Sequence, residues 1–286
     1  MSAVWILVSS LLFATMSVLV KIASVDHSLA EIVFFRSLPG AVALLCYARI
    51  HRLQLYTPLW RIHSLRNLAG LTSMTLSFFA ISKLALSTAA CLEYTAPIFM
   101  MLYVVVASKR RLGALHATAL IVGFGGVLLL LQPTLQANQT VPFAAGLTSG
   151  GLAAIAYMQI RRLGRAGEAS WRTVLIFSLA TMTLALIAMP FSPPAVYTAR
   201  GLAILLAIGV TGLFAQLTMT RAFSHGVPML VATLQYSTVV FAVIYGFFFW
   251  GDRLSTSATL GLLAVTVSGI VAARGLGRNS SVVVAE

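Results

Sequence analysis

Long apolar stretches, interrupted only by short polar gaps, constrain this chain more than any other feature. They recur from Ala3 to the vicinity of Arg274, each about 20 residues long, the length of helix that crosses a hydrocarbon core. Charged residues make up 9% of the 286 positions, against roughly 25% in a soluble domain. That is too little polar surface to cover a water-soluble globule, so lipid must be the solvent. In lipid every backbone polar group needs an internal partner, which leaves only helices or a closed barrel. The stretches are apolar on all sides rather than alternating, which selects helices.

Turn residues and charges divide the chain into ten predicted spans: 3–22, 30–49, 66–84, 88–107, 113–131, 142–162, 171–189, 199–224, 227–250 and 256–274. The first run has no Lys or Arg before it, unlike a cleaved signal peptide, and is read as a retained helix. The formal charge of +13 does not indicate nucleic acid, because the basic residues sit in short clusters between apolar runs rather than along one groove. With the N-terminus in the cytoplasm, fourteen of the nineteen Lys and Arg residues fall on the cytoplasmic side and five on the other. Arg52, Arg61, Arg66, Arg161, Arg162 and Arg172 belong to the larger group. Positive charge is retained inside during insertion, so both termini are expected in the cytoplasm. Cys46 and Cys91 fall near opposite faces and are expected as free thiols.

Sliding the second half over the first by 142 residues reveals an internal repeat. Residues 70–112 then face 212–254 without a gap, and Glu93-Tyr94-Thr95 meets Gln235-Tyr236-Ser237. At an offset of 140, Ser9 meets Ser149 and Lys21 meets Arg161. The expected units are a first five-helix repeat over 1–133, a second over 142–275, and a cytoplasmic tail, 276–286. Five is odd, so the second copy must enter the membrane upside down. The expected fold is therefore an all-α membrane protein of ten transmembrane helices in two inverted repeats. Inverted repeats are a recurring device of secondary transporters, with the substrate site near mid-membrane between the copies.

Several short motifs support this reading. Phe34-Phe35-Arg36-Ser37 opens the second span, and Ala80-Ile81-Ser82-Lys83-Leu84-Ala85-Leu86-Ser87-Thr88-Ala89 bridges the third and fourth. Gly123-Phe124-Gly125-Gly126-Val127 follows in the fifth, and Gly251-Asp252-Arg253-Leu254 precedes the last. Together these resemble the drug/metabolite transporter superfamily in its ten-helix EamA branch, over about residues 3–274. Lys109-Arg110-Arg111-Leu112 is a departed copy of the last motif, without its acid. The resemblance implies a cavity lined by the first, third, fourth, sixth, eighth and ninth helices. It also implies export of amino acids and related metabolites, or import of cofactor-like or nucleotide-like compounds.

Glu93 is the sharpest candidate residue. An acid inside the membrane is costly unless it is paired, solvated or protonated. It can bind a substrate ammonium or carry a coupling proton; the alternative is a structural ion pair with Arg36 or Lys83. Gln235 is its polar repeat partner. Tyr94 and Tyr236 follow these two and can flank a flat substrate, or simply pack between helices. Arg36 can hold a carboxylate in a two-pronged contact, or snorkel or pair with Glu31 or Glu93. Tyr157 and Gln216 are further wall candidates. Pro97 is expected to kink the fourth span, and Gly146 with Gly150 reads as a close-packing face.

Energy must come from gradients, since no Walker motif or soluble nucleotide-binding domain is present. No cofactor is implied, and the five histidines never cluster with acids as a metal or catalytic site would require. The expected function is a secondary transporter of the inner membrane. It exports amino acids or their derivatives by rocking its two halves about a midplane cavity, with possible proton coupling. Import of a cofactor-like or nucleoside-like solute is the alternative, and a membrane subunit without transport is a third reading.

Overall fold

The computed structural model describes residues 2–84, 86–108, 114–133, 138–192, 197–251 and 255–278. Among these every regular element is helical: α1 (Ser2–Ala23), α2 (Leu29–Ile50), α3 (Trp60–Lys83), α4 (Leu86–Glu93), α5 (Ala96–Ser108), α6 (Ala114–Leu131), α7 (Thr140–Arg165), α8 (Ser170–Ala188), α9 (Ala199–His225), α10 (Pro228–Gln235), α11 (Ser237–Trp250) and α12 (Thr256–Arg278). The basic turn at 109–112, residues 252–254 and the tail from 279 lie outside the described residues. Cys46 and Cys91 are free, as expected.

Eight stretches are long and apolar enough to cross a membrane: Ser2–Ala23, Leu29–Ile50, Ser87–Val106, Thr140–Arg165, Ser170–Phe191, Ala199–His225, Pro228–Phe249 and Thr256–Arg274. Ala117–Leu131 is a shorter apolar helix. The 24-residue α3 is less apolar because its inward face carries His63, Arg66, Ser73 and Ser77, all buried.

Local chemistry explains where helices start. Ser28 and Glu31 form a capping box at α2: the Ser28 amide donates to Glu31 Oε2 at 2.9 Å, and Ser28 Oγ accepts from the Glu31 amide at 3.4 Å. Thr198 Oγ1 accepts from the Gly201 amide at 3.0 Å and caps α9. Gly251 ends α11 with φ +67°, a left-handed conformation that suits glycine.

The helices pack across the two halves of the sequence rather than within them. The most extensive contacts pair α1 with α9, α3 with α7, α6 with α12 and α2 with α8. Exchanging the halves maps the α1–α9 pair onto α7–α3, and maps the other two pairs onto themselves. The same two pairs of positions are hydrogen-bonded, with the donating helix exchanged. Ser9 Oγ donates to the Ala215 carbonyl at 2.9 Å, and Ser73 Oγ donates to the Ser149 carbonyl at 2.8 Å. Ser9 and Ser149 are 140 residues apart, and Ser73 and Ala215 are 142 apart. The two halves are thus interleaved, with α1 on α9 and α3 on α7.

Two buried carboxylates tie connectors together by the same exchange. Glu31, beside the α1–α2 connector, accepts from Tyr197 Oη of the α8–α9 connector at 2.6 Å, with His27 Nδ1 3.9 Å away. Glu168, in the α7–α8 connector, accepts from Thr57 Oγ1 of the α2–α3 connector at 2.5 Å and from Arg172 Nη1 at 2.7 Å. His63 Nε2 lies 3.5 Å from the same carboxylate.

Candidate functional site

The site begins where two helices break. The stretch expected as one span over 88–107 is two helices, α4 and α5, separated at Tyr94–Thr95; the stretch over 227–250 is α10 and α11, separated at Tyr236. Pro97 explains the first break: it has no amide hydrogen to donate to the Glu93 carbonyl one turn back. The expected kink is thus a break that begins just after Glu93. Hydroxyl groups satisfy the freed backbone. Thr95 Oγ1 donates to the Leu92 carbonyl, and Ser237 Oγ donates to the Leu234 carbonyl at 2.6 Å. Both acceptor and donor pairs are 142 residues apart, so the two breaks are built alike. Irregular backbone of this kind persists at membrane depth only where side chains satisfy it or a cavity is lined. The small face of α7 makes room for the first break. A Cβ on Gly146 would lie 2.6 Å from Leu92 Cδ1, and one on Gly150 would overlap Thr95 Oγ1. Gly146 and Gly150 therefore perform the close packing expected of them.

Each break presents a polar side chain at its last helical residue, Glu93 on α4 and Gln235 on α10. Glu93 is exposed. Arg36, half-buried on α2, feels the Glu93 charge, and the Tyr157 hydroxyl on α7 feels both. Gln235 Nε2 donates to Tyr157 Oη at 3.1 Å. The Tyr157 ring stacks on Phe223 with centroids 4.7 Å apart and planes 8° from parallel. That stack fixes the ring whose hydroxyl accepts from Gln235. Gln216 of α9 lines a small pocket with Arg36, Phe177, Ser178 and Gly212.

Arg36 and Glu93 interact only through space. Among the described residues neither makes a hydrogen bond or an ion pair within 4 Å. Glu31, a conceivable partner of Arg36 from sequence, is committed to its cap and to Tyr197. Arg36 and Glu93 are thus left without a direct partner among the described residues.

The tyrosines divide. Tyr94 is half-buried, with its ring edge-on to Tyr236 at 6.3 Å. Tyr236 is 0% exposed and belongs to the packed core, against Phe124 at 6.5 Å and against Gly123, where a Cβ would come within 2.8 Å of the ring. In this conformation its ring supports the α10–α11 break instead of facing the expected midplane cavity. Its hydroxyl is buried without a partner. A buried unpaired hydroxyl costs about 1–3 kcal/mol, whereas an apolar group of the same shape does not. Tyr236→Phe is therefore expected to leave solute affinity unchanged and to hold or raise the thermal midpoint in detergent. A fall of several degrees would mean that the hydroxyl has a partner.

Arg66 is the residue that sequence reasoning missed. Its neighbours Arg52, Arg61 and His63 made it look like one more basic residue of a cytoplasmic connector. But α3 begins at Trp60, two turns before the expected start, which carries Arg66 into the packed interior at 2% exposed. Its guanidinium lies 3.5 Å from the centroid of the Phe177 ring, and Nη1 donates to Asn67 Oδ1 at 3.2 Å. It feels the charge of Arg36. Only the packing of α3 on α7 and α8 could reveal it. No group of three or more potential metal ligands occurs among the described residues.

Residues 1–132 match the model of the EamA-like transporter family. The chain is 32% identical over 267 residues, 93% of each sequence, to the "Pseudopaline exporter CntI" of Pseudomonas aeruginosa strain UCBPP-PA14. It is 21% identical to the "S-adenosylmethionine uptake transporter" of Rickettsia felis, covering 91% of this chain and 88% of that one. A solved protein crystal structure of 18% identity has the same fold, with a TM-score of 0.85 over 98% of this chain and 99% of its own. The chain belongs to the EamA-like transporter family of the drug/metabolite transporter superfamily, and is a multi-pass inner-membrane protein rather than an enzyme.

Proposed function

We propose that this chain is a secondary transporter that exports small amphipathic metabolites, amino acids or their derivatives, by alternating access. The single observation that carries the reading is that Arg36 and Glu93 have no hydrogen-bond or ion-pair partner among the described residues. Charged groups inside a membrane protein are normally paired, and those left open mark substrate or ion pathways. A zwitterion satisfies both at once: its carboxylate meets the Arg36 fork and its ammonium meets Glu93. Tyr157 and Gln235 add directed hydrogen bonds on one wall, Gln216 adds another near Arg36, and Tyr94 adds an aromatic edge. Glu93 also carries any proton coupling, since an empty site leaves its carboxylate without a partner.

The scaffold is ten crossings in two inverted five-helix repeats, 1–133 and 142–275, with both termini in the cytoplasm. Three features support it: the exchange-related helix pairs, the matched serine hydrogen bonds, and the twin breaks at Glu93 and Gln235. In this reading α3 and α6 supply the two crossings beyond the eight apolar ones. The outward direction rests on the relative named an exporter; the relative named an uptake transporter favours import as the second reading.

The test is flux in liposomes containing the purified protein, with a panel of radiolabelled amino acids and derivatives on either side. Saturable counterflow of zwitterionic solutes is expected. An absence of flux across the whole panel would leave the membrane-subunit reading in its place. Everted vesicles that fail to accumulate a transported solute would reverse the direction.

A further inference from the structure

Four polar side chains, Arg36 and Ser37 of α2, Ser178 of α8 and Gln216 of α9, line one small pocket where the three helices meet. No carboxylate lines it. Ser37 is 3% exposed, and Ser178 and Gln216 are also buried. The walls therefore offer one guanidinium, two hydroxyls and one carboxamide, all at membrane depth.

The two hydroxyls behave unlike their neighbours. A serine or threonine inside a helix often donates to the carbonyl one turn back. Thr181 does so on α8, donating to the Phe177 carbonyl at 2.8 Å, and Thr211 does so on α9, donating to the Ala207 carbonyl at 2.7 Å. Ser37 Oγ is instead buried with no partner at all. Ser178 and Gln216 make no side-chain hydrogen bond among the described residues. A buried polar group left unpaired is costly, and native structures hold few of them. Glycines bring these groups together. A Cβ on Gly40 would lie 2.9 Å from Ser178 Oγ, so that hydroxyl sits against α2 one turn beyond Arg36. A Cβ on Gly212 would lie 3.3 Å from Arg36 Cγ, so the Arg36 stem lies against α9 one turn before Gln216.

We infer that this pocket seats the carboxylate of the transported solute, with Ser37, Ser178 and Gln216 as specificity-determining residues beside Arg36. This rests on the transport reading above and extends it to two hydroxyls. A carboxylate accepts about four hydrogen bonds and donates none. The Arg36 fork supplies two in parallel. The two hydroxyls and the Gln216 amide supply donors for the remaining lone pairs. A carboxamide fits badly, because its NH2 meets the guanidinium donor to donor. A site built to hydrogen-bond one group rejects the analogue that lacks it, since its own buried groups are then left unpaired.

The test compares each amino acid that shows counterflow in liposomes with its own carboxamide, as competitors for the same labelled solute. In the unaltered protein the amino acid is expected to compete at a concentration lower by at least about tenfold. Ser37→Ala combined with Ser178→Ala is expected to raise that concentration about tenfold or more for the amino acid, and to move it less than about twofold for the carboxamide. A merely structural role would shift both alike. Should the double variant fail to fold, each single variant is read in the same way, with an expected loss of about threefold or more. A carboxamide that competes as well as its amino acid, transport confined to solutes without a carboxylate, or an unchanged ratio in the folded variants would overturn the inference and leave transport intact. A protein that moves no solute of the panel would overturn both.

Discussion

Replacing Arg36 by glutamine is expected to raise the solute concentration for half-maximal transport by roughly 100-fold, a loss of about 3 kcal/mol. Two effects add. The solute carboxylate loses a two-pronged, charge-assisted contact for which an amide is a weak substitute. Glu93 also loses the one opposite charge that reaches it, since Arg36 is the cation acting on it. A carboxylate left alone in a chamber of low dielectric takes up a proton, and can then no longer hold an ammonium. The two residues should therefore not be additive. Glu93→Gln alone is expected to cost about as much, and Arg36→Gln with Glu93→Gln little more than either single change. Counterflow titrations of the three variants at matched protein levels measure this. A double variant whose loss equals the sum of the single losses would mean that the groups act at separate places.

Gly261→Leu is expected to be the most damaging change away from the chamber, lowering stability by about 3 kcal/mol, the upper end for overpacking. At this crossing α6 and α12 touch backbone to backbone. A Cβ on Gly261 would lie 2.5 Å from the Gly126 carbonyl oxygen and 2.7 Å from the Leu130 amide nitrogen. In return, a Cβ on Gly126 would lie 2.7 Å from the Gly261 carbonyl oxygen. Backbone atoms cannot rotate aside as a side-chain tip can, so the helices must part. Close contact through small residues is what holds helices together in lipid, where no hydrophobic gain drives them. Gly125, one residue from Gly126, is the control. A Cβ there meets nothing within 4 Å. Gly125→Ala is accordingly expected to be neutral or to stabilise by about 0.5–1 kcal/mol through helix propensity. Unfolding midpoints in mixed detergent micelles distinguish the two. Equal midpoints for Gly261→Leu and the unaltered protein would place the helices farther apart than described.

Part of the candidate site could be read from residue order. The spans over 88–107 and 227–250 are expected from sequence as continuous helices, and the breaks at Tyr94–Thr95 and at Tyr236 appear only in the structure, at the two repeat-related steps Glu93-Tyr94-Thr95 and Gln235-Tyr236-Ser237. Pro97 marked the first break, through an amide hydrogen it does not have. Of the expected site residues, Gln235 and Tyr157 meet directly in a hydrogen bond. Tyr236 belongs to the packed core: an aromatic ring at mid-span serves equally as wall or as core, and only its neighbours Gly123 and Phe124 decide which. Arg66 was hidden for the opposite reason, since a basic residue near a span end looks cytoplasmic until the start of its helix is known.

Composition and periodicity by themselves settled that this chain is helical and lives in lipid. Those follow from too little charge to face water and from the need to satisfy every backbone group locally, and both are properties of residues in order. Which helices touch was decided only in three dimensions. In lipid all apolar faces are nearly equivalent, so partner choice falls to small residues, single hydroxyls and close backbone approach; residue order can mark a small face such as Gly146 and Gly150 but does not name the helix that packs on it. That is why α1 lies on α9 and α3 on α7, and why Arg66 comes to lie buried against Phe177.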